Sequence, residues 1–278
     1  MNDIRHLLRA QPDAAGQLNL AAIDPGSTPG ASSRSSAERQ LERTLGRRIA
    51  HQHDLLQANK DSSVLLLLQG LDASGKNGTI RHVGRHLDPA ATKVASFKSP
   101  SPEEEDHHFL WRIRQQLPEP GEVVIFDRSH YEDLIVPLAT RQLDRKAVEQ
   151  RIAEVIAFEE ELRDRGTIIV KCLLHISYDE QRQRFLRRLR RTDKRWKFSV
   201  SDLDTRAHWD EFQAAYGTVA GATSYPASPW FIIPSDHKWY RNWAIANVLS
   251  AELGDCALSY PPTDVDVVAL MASLRAPN

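Results

Sequence analysis

Four short runs along the chain are apolar or β-branched at every position: Val64 to Leu68, Val123 to Phe126, Thr167 to Val170 and Trp230 to Ile233. A weaker fifth run extends from Lys93 to Phe97. Runs without alternation suit strands buried on both faces, as in a parallel sheet, better than half-exposed strands. Between them lie charged stretches with helical spacing, from Glu103 to Leu117, Arg145 to Arg165 and Tyr178 to Arg191. Upstream, Leu41, Leu45, Ile49 and Leu55 recur among charged residues and predict a core-facing helix between Ala37 and Asn59. Strands alternating with helices predict an α/β fold, a parallel sheet covered by helices on both faces. Ligands in such folds bind at the carboxyl ends of the strands.

Composition narrows the class. Of 278 residues, 41% are hydrophobic and 26% charged, enough apolar material for a large buried core. With 36 basic against 37 acidic side chains, no global charge excess would hold the protein on nucleic acid or a membrane, so any polyanion site must be local. Two distant cysteines, Cys172 and Cys256, make neither a disulfide framework nor a zinc site and are expected to be buried, inert thiols. The first ten residues lack the apolar stretch of a secretory signal and no run approaches transmembrane length, so a cytoplasmic protein is expected. The turn-forming composition from Pro25 to Ser36 marks an arm. The expected organisation is an arm over residues 1–36, a domain over 37–262 and a tail over 263–278.

The first run leads directly into Gly70-Leu-Asp-Ala-Ser-Gly75-Lys76-Asn77-Gly78-Thr79, the glycine and lysine spacing of a P-loop. Backbone N–H groups of Gly70, Ala73, Ser74, Gly75, Asn77, Gly78 and Thr79 can curl around phosphate oxygens, the next helix presents its positive end, and Lys76 adds a full charge. The bland alternative is an ordinary glycine-rich turn. Asn77 stands where the motif usually has the Ser or Thr that holds magnesium. Asp72 is unusual in such a loop because a carboxylate repels an anion unless a metal ion or a proton-donating acceptor sits beside it.

The run Val123 to Phe126 ends in Asp127 and Arg128, an acid where Walker B segments carry one and an arginine able to fork onto phosphate. A surface ion pair at a strand end is the alternative. From Arg182 to Lys197 the chain crowds Arg182, Arg184, Arg187, Arg188, Arg190, Arg191, Lys194, Arg195 and Lys197 against a single acid, Asp193. Such density reads either as a solvated helix face or as a lid that meets a polyanion. The pairs His51 and His53, and His107 and His108, lack metalloprotease spacing and read as surface or capping residues. The six tryptophans, Trp111, Trp196, Trp209, Trp230, Trp239 and Trp243, read as core anchors.

Taken together, the segments Ile23 to Gly30, Gly70 to Ile80, Ser96 to Lys98, Phe109 to Ile113, Phe126 to Tyr131, Trp196 to Ser199, Asp202-Leu203, Pro229-Trp230, Ile233-Pro234 and Asp236 to Asn242 resemble the family-2 polyphosphate kinases. The resemblance runs from about Asp3 to Tyr260. It implies a P-loop kinase fold resembling thymidylate kinase, with a five-stranded parallel sheet and a helical lid at about 182–222. It also implies phosphoryl transfer between polyphosphate and nucleoside mono- or diphosphates with magnesium (Mg2+). Asp72, Lys76, Asp127 and Arg128 match the family's catalytic positions, with Asp72 and Asp127 the metal ligands. Arg81, Lys98, Arg187, Arg188, Lys194 and Lys197 are expected to bind phosphate. The stretch Ser129 to Asp133 resembles the class III branch, which accepts AMP and ADP, although Asp127 stands where that branch often has Asn. The expected partners are inorganic polyphosphate, nucleotides and further copies of the chain, with no nucleic acid and no membrane. An ATP-dependent nucleotide kinase and a non-catalytic polyphosphate- or nucleotide-binding protein are the competing readings.

Overall fold

The computed structural model describes residues 3–275; residues 1–2 and 276–278, the outer ends of the expected arm and tail, lie outside the described residues. Five parallel strands, β1 (Ser63–Gln69), β2 (Thr92–Ser96), β3 (Val123–Asp127), β4 (Thr167–His175) and β5 (Trp230–Pro234), form one sheet in the order β2-β3-β1-β4-β5. Each apolar run of the sequence is a strand. Every residue of β1 is buried, as a central strand covered on both faces requires.

The pleat sends alternate residues to two apolar layers. Leu65, Leu67, Val124, Phe126, Ile169 and Leu173 pack with Val155, Phe158 and Leu162 of the helix Arg145–Asp164 and with Phe212, Tyr216 and Val219 of the helix Trp209–Ala222. Val64, Leu66, Leu68, Ile125, Cys172, Leu174 and Phe231 pack on the other side with Ile49 and Leu56 of the helix Gly46–Asn59 and with the helix Lys238–Asp255. This is the α/β fold expected, with helices on both faces of a parallel sheet.

Two helical expectations change in detail. The stretch from Glu103 to Leu117 is not one helix but two single turns, Pro102–Glu105 and Trp111–Arg114. Tertiary contacts outweigh the helical spacing there: Arg112 is buried and donates to Lys98 O at 2.8 Å and to Asp133 at 2.9 Å, which fixes the chain around Phe97. Upstream, Leu41, Leu45 and Ile49 are buried as expected, but the next core position is Leu56 and not Leu55, because Leu56 stands seven residues after Ile49 on the same helix face and Leu55 does not.

The arm is held against the domain. Arg9 bridges Phe231 beside β5, Arg5 pairs with Glu252 and Asp255, and Tyr240 Oη donates to Pro29 O at 2.9 Å. At the other end, the helix Val267–Arg275 is exposed at every residue. Among the described residues no helix is long and apolar enough to cross a membrane.

Candidate active site

The loop Gly70–Gly75 leaves β1 at its carboxyl end and passes into the helix Lys76–Gly84. Gly70 (φ 141°) and Gly75 (φ 114°) occupy backbone conformations that L-residues rarely adopt, and Ala73 (φ 66°) is left-handed as well. Lys76 is buried, and its Nζ donates to Gly70 O at 2.6 Å, which keeps the ammonium inside the loop. Burial, then the charge of Arg128, lowers its pKa from the usual lysine value. Among the described residues the buried hydroxyls of Ser74 and Thr79 have no hydrogen-bond partner, so the loop and the first turn of its helix carry two uncommitted donors.

Register brings the second motif alongside. Asp127 at the end of β3 pairs with Leu68 of β1 on one side and Ser96 of β2 on the other. Its Oδ2 accepts from Asn77 Nδ2 at 3.0 Å, so the residue in the usual magnesium-ligand position of the loop is tied to the strand-end acid. Arg128 is a non-glycine residue with φ 67°, a conformation that costs about 1–3 kcal/mol and persists only where its surroundings impose it. Its N–H donates to Leu68 O at 3.1 Å, and its Nη2 donates to Asp72 Oδ1 at 2.7 Å. Asp72, Lys76, Asp127 and Arg128, far apart in sequence, thus meet at the carboxyl ends of neighbouring strands.

Four residues that sequence reasoning did not single out complete this centre. Glu132 lies 3.9 Å from Arg128 Nε; burial raises its pKa against the opposing pull of Arg128 and Lys76. Tyr216 is buried beside Glu132, Arg128 and Asp72. Arg184 and Arg241 are buried arginines under the loop. Arg184 Nη1 donates to Ala73 O (2.9 Å) and Ser74 O (2.8 Å), while Nη2 donates to Ser235 O (2.6 Å) and Asp236 O (2.9 Å). Arg241 Nη1 donates to Ser74 O at 3.1 Å and fills the space against Gly75 and Gly78. Burial, then Arg184, pulls its pKa down to about 9, which leaves it cationic at neutral pH. In the sequence the only signal for Arg241 is its place in the family-like segment Asp236 to Asn242.

The basic stretch divides. The helix Tyr178–Arg190 ends before the 3-10 turn Thr192–Lys197, and Arg184 belongs inside, not among the surface cations. Lys197 has its pKa lowered by partial burial and then by Arg81, Lys194 and Arg188, so these four cations share one region beside the helix that follows the P-loop. Arg187 is instead engaged by Glu180 at 2.7 Å. The Lys98 side chain is exposed; only its carbonyl is held, by Arg112, and no described contact joins it to the loop.

One further expectation needs correction. Trp196 is no core anchor but 77% exposed, because it sits on the 3-10 turn with Lys197 Nζ 4.9 Å from its ring centroid. Of the two readings open for His53, surface or cap, the structure shows the second: it is fully buried, and its Nδ1 accepts from Asp88 N at 3.0 Å, capping the turn Pro89–Ala91. Cys172 is buried as expected, while Cys256 is only partly so.

A parallel sheet with a glycine-rich lysine loop after its central strand, and an acid at the end of the adjacent strand, defines a P-loop kinase fold. Comparison with known proteins is consistent throughout. The polyphosphate kinase 2 (PPK2) family matches residues 31–257, and the chain belongs to that family of transferases. It is 41% identical over 253 residues to an AMP/ADP-polyphosphate phosphotransferase of Meiothermus ruber, covering 91% of this chain and 94% of that protein. It is 39% identical over 236 residues to an ADP-polyphosphate phosphotransferase of Rhodopseudomonas palustris, covering 81% and 82%. The crystal structure of polyphosphate kinase 2 from Arthrobacter aurescens TC1 superposes with a TM-score of 0.93 at 36% identity, covering 98% of this chain and 96% of that one.

Proposed function

We propose that this PPK2 family member moves the terminal phosphoryl group of inorganic polyphosphate onto AMP and onto ADP, reversibly, at the centre formed by Asp72, Lys76, Asp127 and Arg128. The observation that carries the reading is the convergence of a phosphate-cradling loop with a carboxylate and arginine pair, beside a cluster of cations at Arg81, Arg188, Lys194 and Lys197 whose nearby acids are Asp193 and Asp202. Two of the relatives act, by their names, on polyphosphate and adenine nucleotides.

In this mechanism the loop amides and Lys76 hold the polyphosphate end, with Gly70, Ala73, Ser74, Gly75, Asn77, Gly78 and Thr79 supplying the cradle. A terminal phosphate oxygen of the nucleotide attacks the terminal phosphorus; the P–O bond to the rest of the chain breaks, and polyphosphate leaves one unit shorter. Arg128 and Lys76 stabilise charge on the transferring group, so catalysis rests on alignment and electrostatics. Asp72 and Asp127 are oxygen donors of the kind a hard cation takes, and both reach the strand ends where phosphate would lie, so they fit magnesium. Bound there, the ion would neutralise the reacting phosphates. Within the segment at about 182–222, the mostly exposed part from Arg187 to Ala207 acts as a lid that brings its cations onto polyphosphate and excludes water, so that transfer outruns hydrolysis, while Arg184 and the helix Trp209–Ala222 stay packed in the domain. A cytoplasmic location and self-association complete the proposal.

An ATP-dependent nucleotide kinase would share the loop and the fold; the spread of cations around Lys197 favours the longer polyanion as donor. The test is a time course from AMP with magnesium and long-chain polyphosphate, without ATP. ADP should appear first and ATP after a lag. If AMP is inert at millimolar concentration while ADP is converted, the two-acceptor reading fails; if neither is converted, the assignment of polyphosphate as donor fails.

A further inference from the structure

We propose that Glu159, together with Lys171 and Tyr131, is a positioning group for the reaction: a fully buried ionic network that holds the turn Asp127 to Tyr131 so that Arg128 faces Asp72. The inference rests on the role given to Arg128 above. Arg128 N donates to Leu68 O, and the turn after its left-handed backbone is closed locally by Tyr131 N to Ser129 Oγ and Glu132 N to Ser129 O, so how this strained turn is oriented in the fold depends on what its buried side chains reach. Two and three residues on, His130 and Tyr131 are completely buried, and both rings lead to one carboxylate. Tyr131 Oη donates to Glu159 Oε1 at 2.6 Å, and His130 Nε2 lies 3.5 Å from the same oxygen.

The other carboxylate oxygen is engaged as fully. Lys171 Nζ lies 2.7 Å from Glu159 Oε2, Ser228 Oγ donates to it at 3.2 Å, and Tyr225 Oη lies at 3.5 Å. Lys171 also donates to Thr223 O at 2.7 Å, and the rings of Tyr225 and Trp230 lie 5.0 and 5.7 Å from its nitrogen. Four parts of the fold meet here: the helix Arg145–Asp164 through Glu159, β4 through Lys171, the end of the helix Trp209–Ala222 through Thr223, and the turn before β5 through Ser228. The helix ending at Thr223 is the one that returns from the cationic segment, so the lid's return and the arginine turn are anchored at one point.

Stability alone does not explain this arrangement. Removing two charges from water costs about what their attraction returns, and buried pairs can often be replaced by apolar residues of similar volume without loss. What an apolar pair cannot do is accept the Tyr131 hydroxyl and so fix the turn.

The experiment compares two double variants with wild type: Glu159→Gln with Lys171→Met, which keeps an oxygen for Tyr131, and Glu159→Leu with Lys171→Met, which does not. Polyphosphate-dependent kcat, KM for polyphosphate and AMP, and thermal midpoint are measured for each. Both variants should melt within about 5 °C of wild type and keep KM within about 3-fold, while the leucine variant alone loses at least ~10-fold in kcat. Equal kcat in the two folded variants overturns the proposal. Should either fail to fold, Tyr131→Phe removes the single hydroxyl; a folded Tyr131→Phe protein with wild-type kcat overturns the proposal equally, and a kcat loss at unchanged KM supports it. An Arg128→Ala control separates this proposal from the reading beneath it, since wild-type turnover in that variant would refute the role of Arg128 itself.

Discussion

Gly75→Ala is the sharpest single test of how the phosphate loop is built. A Cβ at this position would lie 2.6 Å from Cζ of Arg241 and closer still to its Nη1, inside the space a buried guanidinium occupies. Two costs add. Alanine at φ 114° is strained by about 1–3 kcal/mol. Arg241 must also retreat from Ser74 O (3.1 Å) or Asn242 Oδ1 (2.9 Å), and breaking a buried hydrogen bond from a charged donor costs about 1.5–3 kcal/mol. The sum is roughly 2.5–6 kcal/mol, a fall in Tm on the order of 10 °C for a chain of this size. Displacing the loop by ~1 Å should lower kcat about 100-fold besides. Thermal unfolding and steady-state turnover are measured for Gly75→Ala, Arg241→Ala and the double variant. Because the clash needs both side chains, the double variant should be more stable than the sum of the singles by at least ~1 kcal/mol. Strict additivity, or a Gly75→Ala protein destabilised by less than ~1 kcal/mol, would refute the packing argument.

Other outcomes follow from the same geometry. Lys76→Ala and Asp127→Asn should each lower turnover at least ~100-fold in a folded protein, with a combined loss smaller than the product, as stopped-time product assays and far-UV circular dichroism would show. Lys197→Ala, or loss of Arg187 and Arg188 together, should raise KM for polyphosphate more than for nucleotide, and added salt should mimic the effect in wild type; the Lys197 substitution should be the stronger, since Glu180 already engages Arg187. Glu159 is held down to about 2 in the folded protein, with Lys171 and then His130 outweighing the effect of burial. A depressed carboxylate pKa contributes stability that is complete above the unfolded value near 4.5 and is lost as pH falls through the folded one. Urea titrations from pH 5 to pH 2 should therefore show a shallower loss of stability for Glu159→Gln with Lys171→Met than for wild type.

Four strands of the sheet were legible because they are buried on both faces and so appear as unbroken apolar runs, from Val64 to Leu68 onward; the edge strand β2, mostly exposed, left only the weaker run Lys93 to Phe97. The phosphate loop was legible because glycine spacing records backbone conformation directly, as Gly70 and Gly75 show. What sequence did not reveal depends on distance in space. Arg184 sat within a stretch of nine basic residues, and nothing local distinguishes the one that turns inward to hold Ala73 and Ser74 from those in solvent. Lys171 followed an apolar run and looked like its end; only β4, continuing to His175, shows that it is the middle of a buried strand. Glu159 lies in a helix full of acids, where spacing gives no hint of burial. The misread stretch after Pro102 has the same cause, since Arg112 is drawn to Lys98 and Asp133 by contacts 14 and 21 residues away.

The central claim is that polyphosphate, not a nucleoside triphosphate, is the phosphoryl donor. The most direct measurement incubates the purified protein with magnesium and AMP, supplying either long-chain polyphosphate or GTP as donor, and follows adenine nucleotides by chromatography. Rapid formation of ADP with polyphosphate, at a rate at least ~100-fold above that with GTP, is the predicted result. Equal or faster turnover with GTP, or no turnover with polyphosphate, would contradict it.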